Sequence, residues 1–287
     1  METSASVNGV TAPLPGFGPV APQERIETLD ILRGFALFCI LVVNWSVDVG
    51  WGAIQSSFRG EADRIAYWTI QFLLQEKAWP IFAFLFGLGF SIQMQRAEAR
   101  GSRFVRVYAR RLMILFLIGA AHYILTERDI VAKYAIVGIL LLPLRKLNLN
   151  LLVVLALICV LTPWTQGTLS ARDSQLLLAN PQAAQQAAEA VARGRAPAAE
   201  RNRTFASGTF GQIVSMRARE FKGEISSWNS YLGWLGDPFP PFLLGLYAGR
   251  RRIFQEVATQ RQFIRKVMWW TLALGLAGNT IFWVLEF

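Results

Sequence analysis

Six arginines crowd into sixteen residues, Arg96, Arg100, Arg103, Arg106, Arg110 and Arg111, between two long apolar runs. No other feature limits the fold so strongly. Guanidinium groups beside apolar segments mark loops retained on the cytoplasmic side of a bilayer. The alternation of apolar run and polar or basic loop recurs along the chain. It predicts an all-α, multi-pass transmembrane helix bundle seated in the lipid bilayer.

About 20 apolar residues cross the hydrocarbon core. The first predicted span is 28–48, followed by a mixed loop to residue 63. Residues 64–95 are too long for one upright helix, and Pro80 divides them. The piece 64–77 reads as interfacial and amphipathic, with Ile65, Trp68 and Phe72 on one face. The second span is then 78–95, where Gly87 and Gly89 permit close backbone approach. Spans three and four are expected at 111–126 and 130–144, joined by the turn Glu127-Arg128-Asp129, and span five at 149–165. One long extracytoplasmic loop, 166–227, follows. Its Ala/Gln-rich middle is expected to be either helical or disordered. The stretch 205–225 carries Phe205, Phe210, Ile213 and Phe221 among charges and is expected at the membrane surface. Spans six and seven are expected at 231–249 and 267–285.

Orientation follows from the basic residues. With the N-terminus inside, the short inner loops 96–111, 145–148 and 250–266 hold fourteen Lys and Arg, against Arg59 and Arg128 in the short outer loops. That bias predicts a cytoplasmic N-terminus, about seven spans and an outer C-terminus. The predicted regions are a disordered cytoplasmic tail (1–24), a five-span bundle (25–165), the partly helical loop (166–227) and two further spans (228–287). The tail lacks a basic start and is not read as a secretory signal. The net charge of +10 is explained by the same loops, so nucleic acid is not an expected partner. Cys39 and Cys159 lie inside apolar runs and offer no disulfide framework and no metal-ligand spacing.

The first span is polar for a membrane helix. At about 100° per residue, Arg33 and Asn44 fall within about 20° of each other, with Asp30 and Asp48 each about 60° off that line. A polar stripe at membrane depth ordinarily faces a bundle interior or a wet cavity. Asp30 and Arg33 could also simply pair with each other, and a helix-to-helix hydrogen bond would satisfy Asn44. His122, the sole histidine, lies eleven residues beyond Arg111, about 16 Å up a helix and near the level of Asn44. Asp129 on the next helix could reach it, making a plausible general base. A structural histidine, and an Asp129–Lys133 pair at i, i+4, remain alternatives. His122, Asp129 and Asn44 are the catalytic candidates. Asp30, Arg33, Asp48, Lys133 and Tyr134 are the substrate-binding candidates. No metal ligand, P-loop, Rossmann glycine pattern or Ser-His-Asp triad is found.

Four motifs occur in order: R-I-E-T-L-D-I-L-R-G-F-A (Arg25 to Ala36), F-A-F-L-F-G-L-G-F-S-I-Q (Phe82 to Gln93), R-R-L with G-A-A-H (Arg110 to His122), and D-I-V-A-K-Y-A-I-V-G (Asp129 to Gly138). Together they resemble the YeiB-type bacterial membrane proteins, whose C-terminal part is a domain of unknown function. P-F-L-L-G-L-Y-A-G-R (Pro241 to Arg250) is similar to that family's next segment. The family continues with further helices, so the chain is expected to be short or truncated relative to it. Leu29, Asp30, Leu32, Arg33 and Gly34 also resemble the opening of a wider superfamily of transmembrane acyltransferases. These move an acyl group from cytoplasmic acyl-CoA to an extracytoplasmic acceptor such as a sugar. Many carry a catalytic histidine where this chain has Asn44. A branch resembling the lysosomal heparan acetyltransferase keeps Asn there and places its histidine in the following loop; residues 45–63 contain none.

The resemblance implies an acyltransferase-like enzyme with acyl-CoA as donor, no tightly bound cofactor, and a sugar or lipid acceptor. Arg33 would attract the donor's phosphates, Asn44 would hold the acyl carbonyl, and His122 would take the base role. A proton-coupled transporter using the same stripe, or a non-catalytic scaffold, are the other expectations.

Overall fold

The computed structural model describes residues 26–48, 60–99, 104–126, 129–161 and 199–286, with the single residue 185. The predicted tail, Glu127, Arg128, Arg100, Arg103 and most of the long loop lie outside this set. The regular structure of the described residues is helical throughout. In chain order the helices are α1 (Glu27–Asp48), α2 (Glu61–Leu73), α3 (Ala78–Ala99), α4 (Phe104–Thr126), α5 (Val131–Ile139) and α6 (Leu141–Leu144). There follow α7 (Leu149–Leu161), α8 (199–207), α9 (Phe210–Ser226), α10 (Trp228–Gly236), α11 (Phe239–Arg250) and α12 (Val257–Glu286).

Glycines set the closest helix packing. A Cβ at Gly87 of α3 would lie 2.0 Å from the Phe242 carbonyl oxygen, and one at Gly245 of α11 would lie 2.0 Å from that of Phe84. The two backbones therefore touch, as small residues allow between membrane helices. The register, Gly87 to Phe242 and Ser91 to Gly249, makes α3 and α11 parallel. Gln95 seals the far end by donating to the Gly249 carbonyl at 2.8 Å. By contrast α1 runs antiparallel to α3, since Leu29 clusters with Leu88 and Ile92 while Asn44 and Trp79 share a cavity wall. The helices α4 and α5 are also antiparallel, with Gly119 against Ala132 and Gly138 against Leu112. These directions place Arg33, Arg96, Arg111 and Arg250 at one end of the bundle and Asn44, His122, Asp129 and Asp237 at the other.

An aromatic column fills the core. Phe86 stacks on Phe242 with ring centroids 4.7 Å apart, and Tyr134 meets the Phe242 ring edge-on at 5.0 Å. Outside the core the surface is apolar: Phe35, Phe38 and Leu41 on α1, Leu117 and Ile118 on α4, and Trp269, Trp270 and Leu274 on α12 are all exposed. Patches of that extent are foreign to water-facing surfaces and suit lipid. Among the described residues, two helical stretches, Glu27–Trp45 and Glu61–Ala99, are long and apolar enough to cross a membrane; Leu149–Leu161 is apolar but shorter.

Two expected spans are broken. The stretch 231–249 divides at Asp237–Pro238 into α10 and α11, because Pro238, Pro240 and Pro241 supply no N–H to continue the upstream ladder. The stretch 130–144 divides at Leu140, whose N–H turns back to the Val137 carbonyl at 3.0 Å. In the region expected at the membrane surface, α9 begins with a reciprocal cap. Thr209 accepts from the Gln212 backbone, and the Gln212 side chain accepts from the Thr209 backbone. Finally α12 is exposed along nearly its whole described length. Asn279 ties it to the turn before α3: its carbonyl accepts from Lys77 Nζ at 3.1 Å, and its amide donates to the Phe72 carbonyl at 3.2 Å.

Candidate functional site

Two cavities lie along α1. The larger, about 640 Å³, opens at the end holding His122; the smaller, about 300 Å³, lies toward the arginine-rich end. Asn44, His122, Asp129 and Lys133 line the larger one. Arg33 lines the smaller. The single cavity expected along the polar stripe is thus divided. Phe82 and Phe86, which line the smaller cavity, pack around the buried Tyr134 ring, with centroids at 5.8 and 5.9 Å.

The histidine pair is built by a close helix crossing. A Cβ at Gly119 would lie 2.4 Å from the Ala132 nitrogen and 2.8 Å from Asp129 Oδ2. Its absence lets the start of α5 press against α4. Asp129 is thereby placed against Gly119 and beside His122, one helical turn further along α4: Oδ1 stands 3.2 Å from Nδ1 of the imidazole. The other oxygen accepts the Ala132 backbone N–H at 2.6 Å. The carboxylate side chain is 1% exposed and the imidazole 53% exposed. A buried, doubly held carboxylate thus holds one nitrogen of an imidazole that lines the cavity, the kind of support a general base receives. Thr126 donates to the His122 backbone carbonyl at 2.9 Å and its hydroxyl lies beside the ring.

Lys133 has an ion-pair partner on another helix. It meets Glu224 of α9 at 2.9 Å, closing one side of the cavity. Tyr134, expected to bind substrate, is a core residue: it is 1% exposed, and its hydroxyl donates to the Trp79 carbonyl at 2.9 Å. A tyrosine buries its ring readily once its hydroxyl finds a partner. Asp30 stays at the arginine-rich end, where its carboxylate accepts from Arg33 at 2.9 Å. Asp48 ends α1, and its side chain is outside the described set.

Three acidic residues on the larger cavity were not singled out in the sequence: Glu76, Glu224 and Asp237. Glu76 has a left-handed backbone (φ 59°) and accepts from the Trp79 indole at 3.0 Å. A strained residue on a cavity wall is a feature of functional sites. Asp237 follows α10, in the turn outside the helices and open to the cavity. These residues come from distant parts of the chain, so no local spacing announced them.

The smaller cavity joins Arg33 of α1 to Gly89 and Gln93 of α3 and to Tyr108 and Arg111 of α4. The Arg33 guanidinium crosses α3 at Gly89, where a Cβ would lie 2.9 Å from Nη2. Arg111 donates to the Gln93 side-chain carbonyl.

Comparison with known proteins agrees with the motif reading and sharpens it. YxaH, an uncharacterized protein of Bacillus subtilis, is 30% identical over 290 residues, covering 93% of this chain and 68% of YxaH. An uncharacterized 39.9 kDa protein encoded beside an amylase gene in Bacillus acidopullulyticus is 35% identical over 130 residues, 45% of this chain and 37% of that protein. YeiB of Escherichia coli is more distant, 34% identical over 127 residues, 41% of this chain and 30% of YeiB. No solved structure matches the chain. The model of the heparan-alpha-glucosaminide N-acetyltransferase catalytic family matches residues 25–187, which hold α1 through α7 and the site residues expected from the sequence, though not Glu224 or Asp237. The chain belongs to the heparan-alpha-glucosaminide N-acetyltransferase catalytic family.

Proposed function

We propose that the chain is a membrane acetyltransferase that passes an acetyl group from acetyl-CoA, arriving at the arginine-rich end, to an amine or hydroxyl acceptor in the larger cavity. One observation carries the reading: the His122–Asp129 pair, 3.2 Å apart, opens onto a cavity that also holds Asn44. His122 removes the acceptor proton as the acceptor attacks the thioester carbonyl. Asn44 donates its amide N–H to the developing oxyanion. The C–S bond breaks, a C–N or C–O bond forms, and the proton that His122 took from the acceptor passes to the departing thiolate, which leaves as the CoA thiol and returns the imidazole to its neutral form. Asp129 keeps the imidazole in the tautomer whose free nitrogen faces the acceptor. The family supplies the donor class; the acceptor in this chain is part of the proposal.

The test is acetyl transfer from labelled acetyl-CoA by the purified protein in nanodiscs, with amino sugars and neutral sugars offered as acceptors. His122→Ala should lower the rate by about 10²- to 10⁴-fold, the usual worth of a general base. Undiminished transfer by that variant removes the role assigned to His122.

A further inference from the structure

The larger cavity is chemically two-sided. At the Asn44 end it is polar, with His122, Lys133, Glu76 and Asp237 on its walls. Below Asn44 its α1 wall is apolar, formed by Leu37 and Ile40. Leu37 lies seven residues before Asn44, so this wall descends about 10 Å toward the middle of the bundle. Polar toward the membrane surface and apolar toward its middle is the order of headgroup and chain within one leaflet. The wall also meets the bilayer. Leu37 lines the cavity and is 51% exposed, and Phe38 and Leu41 beside it on α1 are exposed too. Ile118, one turn before the half-exposed His122 on α4, is exposed as well. Charge adds a second constraint. Glu76, Asp129, Glu224 and Asp237 outnumber the Lys133 ammonium among the described lining residues, which disfavours a headgroup of net negative charge.

We propose that the acceptor is a membrane lipid whose headgroup carries a free hydroxyl or amine and no net negative charge. It enters sideways from the bilayer past α1. Its headgroup lies at His122 and Asn44, and the start of its chain lies along Leu37 and Ile40. A wholly hydrophilic acceptor would gain nothing from that apolar wall. The proposal rests on the transfer reading above and names its acceptor. The acetyl carbon exchanges its bond to sulfur for one to the headgroup oxygen or nitrogen. The headgroup proton passes through His122 to the thiolate, and the products are an acetylated lipid and CoA.

Two readouts separate the site from the chemistry. The first is retention: the full chain is incubated in phosphatidylcholine nanodiscs doped with monoglucosyldiacylglycerol, phosphatidylethanolamine or phosphatidylglycerol, and the lipid still bound after detergent extraction is counted by native mass spectrometry. The first two dopants should be retained in preference to phosphatidylglycerol. Ile40→Trp should lower their retention by about tenfold, because the indole fills the space of the chain. Leu37→Trp, at a more exposed point of the same wall, should act alike with less risk to folding. Ile31→Trp, on the exposed side of α1, should retain lipid as wild type does. The second readout is transfer from labelled acetyl-CoA to monoglucosyldiacylglycerol and to methyl glucoside. Ile40→Trp should lower the ratio of the first rate to the second by about tenfold; partitioning into the bilayer alone would leave that ratio unchanged. An unchanged ratio, or retention indifferent to headgroup and to both tryptophan variants of the wall, overturns the lipid acceptor. Retention without transfer keeps the lipid site and removes the transfer reading. Transfer to methyl glucoside without lipid retention does the reverse.

Discussion

Gly119 does more for the larger cavity than any polar residue near it. It sets how closely α5 approaches α4, and hence whether Asp129 reaches His122. In Gly119→Ala the new methyl group would meet the Ala132 nitrogen and the Asp129 carboxylate together. The variant should remain folded, lose about 1–3 kcal/mol of stability as overpacked sites do, and transfer acetyl more slowly with unchanged donor binding. Thermal unfolding together with a kcat and KM comparison reads both effects; an unchanged kcat would show that the pair tolerates the shift. At this scale the sequence was informative where contacts are local. His122 and Asp129 are seven residues apart and joined by a turn, so their meeting could be anticipated. Glu224 and Asp237 reach the same cavity across about a hundred intervening residues, which no spacing rule spans. Tyr134 misled for a physical reason: a phenol serves equally as a binding group and as a core ring with one anchored hydroxyl.

Helices α3 and α11 form the tightest element pair, and glycine at the crossing is the reason. Gly245→Leu would drive a side chain into the Phe84 carbonyl. It should unseat α11 and cost more than the roughly 1–3 kcal/mol of ordinary overpacking, because backbone cannot rotate aside as a side chain can. Gly34→Leu is the matched control, since nothing lies within 4 Å of its Cβ position. Melting temperatures of the two variants should separate clearly, and equal values would mean that α11 can shift to accept the side chain. Hydropathy located these apolar stretches but not their breaks. A window average does not register Pro238, Pro240 and Pro241 ending one ladder and opening another, or the single tightened turn at Leu140.

Across the molecule, helix direction sorts charge to opposite ends. The parallel α3–α11 pair and the antiparallel α1–α3 pair put the basic loops together and the His122 cavity opposite them. The orientation drawn from the basic residues then makes a concrete statement about sidedness. In a background with the buried thiols replaced (Cys39→Ser, Cys159→Ser), an impermeant maleimide should label Asn229→Cys with the membrane intact. Gln255→Cys should react only after the membrane is opened. The reverse pattern would place His122 on the cytoplasmic side and remove the transmembrane character of the proposed reaction. The gross architecture was legible because lipid allows few solutions for an exposed backbone. The division into two cavities was not, because it depends on how side chains from several helices fill space that a helical wheel leaves blank.

The clasp at Asn279 has a consequence for the last helix. Hydrocarbon offers an amide or an ammonium group nothing to bond, so the links to Lys77 and Phe72 strengthen as water is excluded around them. They pin one extremity of a long rod whose remaining length packs little against its own molecule. Asn279→Ala would remove both links at once, leaving the end of α2 and the Lys77 ammonium without this tie to α12.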